Sequence, residues 1–143
     1  MSSRLSAIAM TLCLVLSSPI GAGAQEGRNG IAFVQAVEQG SGVCTGKDAA
    51  SAFACARAKC MAEGAAFEDC TEQAWCSPAF WSVDVFLQHQ EGPHWHEYYC
   101  GWNSRELALA AARTACDKAL RPYLIECAAV MVYDEDGKQH PVE

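Results

Sequence analysis

Three of the chain's four histidines fall in one segment, Gln88-His89-Gln90-Glu91-Gly92-Pro93-His94-Trp95-His96-Glu97-Tyr98-Tyr99. Gly92-Pro93 reads as a turn, which makes the segment a hairpin. Side chains alternate along a strand, so His94, His96 and Tyr98 take one face and Trp95, Glu97 and Tyr99 the other. Neutral imidazole binds Zn²⁺ and Cu²⁺, and His89 across the hairpin would bring a third ring to His94 and His96. Glu91 could complete such a site. The plainer reading is a polar strand facing solvent beside a hairpin tip. The same tip would also serve protein binding, because Trp95, Tyr98 and Trp102 offer the large, stiff surfaces that dominate interface energetics. Core packing competes for Trp95 and Tyr99.

The other chemistry-bearing residues are nine cysteines in 143 residues. Met1 to Arg4 form a short positive region, Leu5 to Leu16 an apolar run, and Ala22-Gly23-Ala24 a small-residue cleavage site. This pattern predicts a signal peptide over 1–24, removing Cys13 and leaving a domain over 25–143 in the periplasm or outside the cell. The apolar run is too short for a ~30 Å hydrocarbon core, so no membrane span is expected. Eight cysteines remain: Cys44, Cys55, Cys60, Cys70, Cys76, Cys100, Cys116 and Cys127. An even count in an oxidising compartment, with no C-x-x-C pair, predicts four disulfides rather than a zinc or redox site.

Their spacing exposes a duplication. Cys44 precedes Cys60 by the same interval as Cys100 precedes Cys116, and Ala52, Ala54, Ala56 and Arg57 recur as Ala108, Ala110, Ala112 and Arg113. Each copy reads as two strands, an Ala-rich helix and a strand. The expected fold is therefore α+β: one small disulfide-rich domain of two ββαβ units, over about 30–80 and 81–135. Ile31 to Val37 and Trp81 to Leu87 open the copies. Asp48 and Ser104 cap the helices. Phe53, Ala56 and Cys60 share one face of the first helix, and Leu109, Ala112 and Cys116 share the same face of the second. Gly64 and Pro122 are expected to end the helices, with strands near Phe67 to Ala74 and Tyr123 to Tyr133. Joining each helix-end cysteine to the next strand gives Cys60–Cys70 and Cys116–Cys127. Three pairings of the other four remain open, and Cys55–Cys76 with Cys44–Cys100 is the one favoured. Arg57 and Arg113 read as structural cations near helix ends, and Asp134-Glu135-Asp136-Gly137 as a solvated turn.

Gly30-Ile31-Ala32, then Ala52-Phe53-Ala54-Cys55-Ala56-Arg57-Ala58-Lys59-Cys60, Asp69-Cys70 and Trp75-Cys76-Ser77-Pro78-Ala79 occur in an order that resembles a secreted bacterial domain of unknown function, the family numbered 4189. The resemblance spans about residues 30 to 133 and implies export and this fold. It carries no catalytic residues. Cys44, Cys55 and the His- and Trp-rich hairpin depart from the family's pattern.

Ten basic against seventeen acidic residues give a net charge of −7. Such a surface disfavours nucleic acid and anionic membranes, and suits a basic protein or a cation. There is no G-x-S-x-G, P-loop, H-E-x-x-H or dinucleotide fingerprint, so neither catalysis nor a cofactor is expected. The leading expectation is an exported, non-catalytic module that binds a protein or cell-envelope component. The alternatives are a periplasmic metal-binding protein using His89, His94 and His96, and a small hydrolase.

Overall fold

The computed structural model describes residues 28–143; the expected signal peptide and Cys13 lie outside the described residues. Strand β1 (Gly30–Ala36) is buried along its whole length. Its near-continuous apolar run fits a strand covered on both faces. Ala32, Val34 and Ala36 face helix α1 (Ala49–Ala62), while Ile31 and Phe33 face a second sheet. Strand β2 (Gly40–Gly46) returns antiparallel across a tight turn, with Glu38 in the left-handed region at φ 62°.

Helix α1 lies almost on the backbone of β2. A Cβ placed on Gly42 would stand 1.8 Å from the Ala56 carbonyl oxygen, so only glycine permits this approach. Ala52, Ala56 and Cys60 form the buried stripe, with Phe53 on its flank beside Trp75. Asp48 caps the helix by accepting from the Ser51 amide at 2.9 Å, and Gly64 follows its end at φ 107°.

Strand β3 (Thr71–Cys76) begins later than expected, because residues 67–69 form a turn that lays Phe67 on Arg57. The second copy contains β4 (Trp81–His89), β5 (His94–Trp102), α2 (Arg105–Ala115) and β6 (Leu124–Tyr133). Ser104 caps α2 as expected. The helix ends at Cys116 rather than near Pro122, and a turn over 117–121, with Asp117 accepting from Ala119, fills the interval. Beyond the Asp134–Gly137 turn, the short β7 (Gln139–Pro141) adds to β6. Its polar, proline-ended sequence gives no strand signal.

The sheets run β2-β1-β3 and β5-β4-β6-β7, so the two copies share one strand order. The caps Asp48 and Ser104 correspond, as do the buried pairs Ala52/Ala56 and Ala108/Ala112. The fold is α+β, with two ββαβ units whose sheets pack face to face and whose helices lie outside. Ile31, Phe33, Tyr98 and Tyr133 fill the space between the sheets, with Phe33 stacked on Tyr98 at 4.6 Å.

Four disulfides join Cys44–Cys55, Cys60–Cys70, Cys76–Cys100 and Cys116–Cys127. The second and fourth are those expected from the duplication. The favoured Cys55–Cys76 and Cys44–Cys100 pairs are corrected. Cys55 does find its partner at the helix flank, but the flanking strand is β2. Cys44 and Cys76 lie on opposite sides of β1, opposite Ala32 and Ile31, so Cys76 is left to meet Cys100 of β5. That bridge is the covalent tie between the two copies.

Candidate functional site

Three polar residues between the sheets, Gln35, Asp84 and His96, meet toward one mouth of the interface. On β4, Val83, Val85 and Leu87 face α2, which turns Ser82 and Asp84 toward the first sheet, where both are buried. On β5, Tyr98 enters the core and His96 stands nearer the mouth. His96 Nδ1 lies 2.6 Å from Asp84 Oδ1, and the imidazole is half-buried. Gln35, the one polar side chain of β1, crosses between the sheets. Its Nε2 donates to the His96 carbonyl at 3.0 Å, and its Oε1 accepts from the His96 amide at 3.2 Å. One glutamine thus satisfies both backbone groups of His96, as a buried amide requires.

A cleft of about 140 Å³ opens above His96, lined by Gln35, Glu38, Gly40, Ser41 and His94 among others. Glu38 Oε1 accepts from the His94 amide at 3.2 Å and stands 3.5 Å from His94 Nδ1. It therefore stitches the β1–β2 turn to the start of β5. Burial, then the nearby Asp84 carboxylate, pushes the Tyr98 hydroxyl up to about 12, and burial likewise raises Tyr133.

Chemically, a carboxylate on His96 Nδ1 fixes the ring and leaves Nε2 as its free nitrogen, which is the orienting half of a catalytic triad. Among the described residues no hydroxyl or thiol hydrogen-bonds to that nitrogen. The Ser82 hydroxyl is fully buried without a partner, and all eight described cysteines are in disulfides.

The three candidate metal ligands are not assembled. His94 and His96 flank Phe86, with ring centroids 5.5 and 5.6 Å from it. His89 instead accepts from the Glu91 amide and packs on Tyr123 at 5.3 Å. A register shift between Gln88 and His89 accompanies that separation. Among the described residues no group of three His, Cys, Asp or Glu side chains is placed to hold a metal.

The candidate binding aromatics also divide. Tyr98 belongs to the core between the sheets and offers no surface. Trp95 and Trp102 pack half-buried against the cluster beneath α2, with Tyr99 beside them. There Glu97 accepts from Trp95 Nε1 at 3.2 Å, from the Tyr99 hydroxyl and from Arg121 Nη1 at 2.8 Å. Burial works to raise Glu97, but the hydrogen bonds from Tyr99, Arg121 and Trp95 outweigh it and hold the carboxyl low. Burial and the Glu97 hydrogen bond push Tyr99 up to about 12.

Sequence reasoning found the hairpin but missed Gln35, Glu38 and Asp84. A glutamine inside the apolar run of β1 was the available signal, because a buried polar side chain requires a partner. No helix among the described residues is long and apolar enough to cross a membrane. No protein-family model matches the chain, and neither a curated protein nor a solved structure matches it.

Proposed function

We propose that the protein is an exported binding module that recognises a basic partner, protein or envelope component, through the end of the molecule that carries the β4–β5 hairpin. The observation that carries this reading is the stitched rim. Glu38 ties the β1–β2 turn to His94, and His89 packs on Tyr123 at the start of β6. Around these contacts Val37, Tyr123 and Ile125 are exposed apolar side chains, interleaved with the exposed carboxylates of Glu91 and Glu126. Apolar anchors within an acidic rim suit a partner with apolar contacts and surrounding lysines or arginines. Four disulfides fit an oxidising compartment, and the resemblance to the secreted family numbered 4189 adds export to the reading. A basic cell-wall lytic enzyme is the concrete partner proposed.

The test is binding to a basic muramidase, followed by biolayer interferometry at rising salt. Affinity should fall as salt rises, and Glu38→Lys with Glu91→Lys should slow association about tenfold or more. Salt-insensitive binding, or variants that bind like the parent, would sink the reading.

A hydrolase is the second reading, favoured only by the Asp84–His96 pair. It requires an activity that His96→Ala abolishes while the thermal midpoint stays near that of the parent. Equal activity in the two proteins would end it.

A further inference from the structure

The duplication supplies an internal control for one surface outside the hairpin end. In the first copy Arg57 is held by three partners. Its Nε donates to the Cys70 carbonyl at 3.0 Å, its Nη2 to Glu72 Oε1 at 3.1 Å, and its guanidinium lies 4.9 Å from the Phe67 ring. Arg113 is the matching residue of α2, one turn before Cys116 as Arg57 is before Cys60. The strand registers fix the rest of the match: Glu72 stands opposite Val34 in the first copy, and Ala129 opposite Val85 in the second.

The second copy therefore lacks the carboxylate. Among the described residues Arg113 forms no ion pair, and no ring lies over its guanidinium. Where the first copy has Glu72, the second has an open groove of about 310 Å³ between α2 and β6. Arg113 stands exposed on it, with Leu109, Ala112, Ala129, Val142 and the Cys116–Cys127 bridge as its apolar lining.

One wall of this groove is unpaired strand. Strand β7 pairs with Met131 to Tyr133, and the Val142 amide reaches the Val130 carbonyl at 3.4 Å. Among the described residues, β6 has β4 as its single partner strand from Leu124 to Ala129. An open edge beside an apolar groove is where an extended peptide adds to a sheet.

We infer that this groove is a second binding site, which takes the free C-terminal end of an exported polypeptide. The terminal carboxylate sits on Arg113 as Glu72 sits on Arg57. The last side chain, apolar and preferably aromatic, fills the groove and supplies what Phe67 supplies in the first copy. The preceding backbone extends the sheet along β6. A C-terminal residue carries the missing carboxylate and apolar group on one short stem, and it is joined to the backbone that the edge requires. A fatty acid carries the first two only. This site is independent of the acidic end and holds whether or not that end binds a basic partner.

The probe is a series of fluorescein-labelled hexapeptides ending in Phe, Tyr, Leu or Val, each as free acid and as amide, read by fluorescence polarisation. At least one free acid should bind below about 1 mM, and at least about tenfold more tightly than its amide. Arg113→Gln should reduce the acid to the amide's affinity. Ala129→Glu rebuilds the internal pair of the first copy and should close the site. Both variants are to be checked for the parent's thermal midpoint and four intact disulfides. Glu143→Gln, which removes the carboxylate following Val142, should leave binding equal or tighter.

Amide shifts of Ile125 to Ala129 should move on titration with peptide. Octanoate that binds as tightly as the best peptide without moving those amides would replace the peptide with a lipid and overturn the proposal. So would acid and amide binding alike, or no free acid binding below about 1 mM.

Discussion

At the scale of single residues, the polar groups that matter are those placed where water does not reach. Gln35 is 3% exposed, yet it serves both the amide and the carbonyl of His96 on the opposite sheet. Gln35→Ala would strand those two groups, and a loss of about 2–4 kcal/mol is expected in urea unfolding. Gln35→Glu should cost at least as much, since a carboxylate cannot donate to the carbonyl and would lie near Asp84. The tyrosines predict an alkaline limit. Tyr98 and Tyr99 are raised to about 12 in the fold from an ordinary 10, so below that value the folded and unfolded states bind their protons equally. As pH rises from about 10 to 12 the unfolded state releases protons that the folded state keeps, and stability falls. Urea midpoints should therefore drop over that window, and ultraviolet titration should show these two phenols ionising late. Glu97 predicts the opposite limit. Its folded value is depressed, so its contribution is full above the ordinary carboxylate range and is lost as pH falls through the folded value.

At the scale of elements, the two copies have the same order and different packing. In the first, Gly40, Gly42 and Gly46 of β2 let α1 settle on the strand backbone, and the buried face of the helix is alanine and cysteine. In the second, Trp95, Tyr99 and Trp102 of β5 occupy the corresponding layer under α2. Gly42→Ala tests the closeness of the first contact. A methyl 1.8 Å from the Ala56 carbonyl requires α1 to move, and a cost above about 3 kcal/mol is expected in thermal or urea unfolding. An unchanged midpoint would show that the helix can slide at no cost. The elements were largely legible in the sequence because local signals set them: alternation in β4, the caps Asp48 and Ser104, and the glycine after α1. The register of the disulfides was not. Which edge of β1 receives β2 and which receives β3 depends on long-range pairing, and that choice alone separates Cys44–Cys55 from the alternatives. The candidate site was half legible for the same reason. The hairpin histidines announced themselves, whereas Asp84 reads as a solvent-facing residue of an alternating strand until a second sheet covers it.

At the scale of the molecule, the question is whether two copies make one cooperative unit. The features that join them include the Cys76–Cys100 bridge, the crossing of Gln35 to β5, the Glu38–His94 contact, and the ring cluster of Phe33, Tyr98 and Tyr133. Phe33 is fully buried and touches two tyrosines of the other copy, stacked on Tyr98 and edge-on to Tyr133 at 5.4 Å. Phe33→Ala removes the largest fully buried side chain from between the sheets, and about 3–5 kcal/mol of destabilisation is expected. Two extremes follow for where that loss appears. If each copy stood on its own helix-facing core, the loss would fall on sheet contact alone, and the copies would unfold in separate steps still tied by one disulfide. A shared core requires the loss to lower one transition for the whole chain. The amide signals of Val34 and Val85, one from the centre of each copy, should then disappear at the same urea concentration in the parent. In Phe33→Ala they should shift together to a lower one. Separate midpoints in the parent would make the molecule two tethered domains, and the stitched rim at the hairpin end would then be a hinge instead of a rigid binding edge.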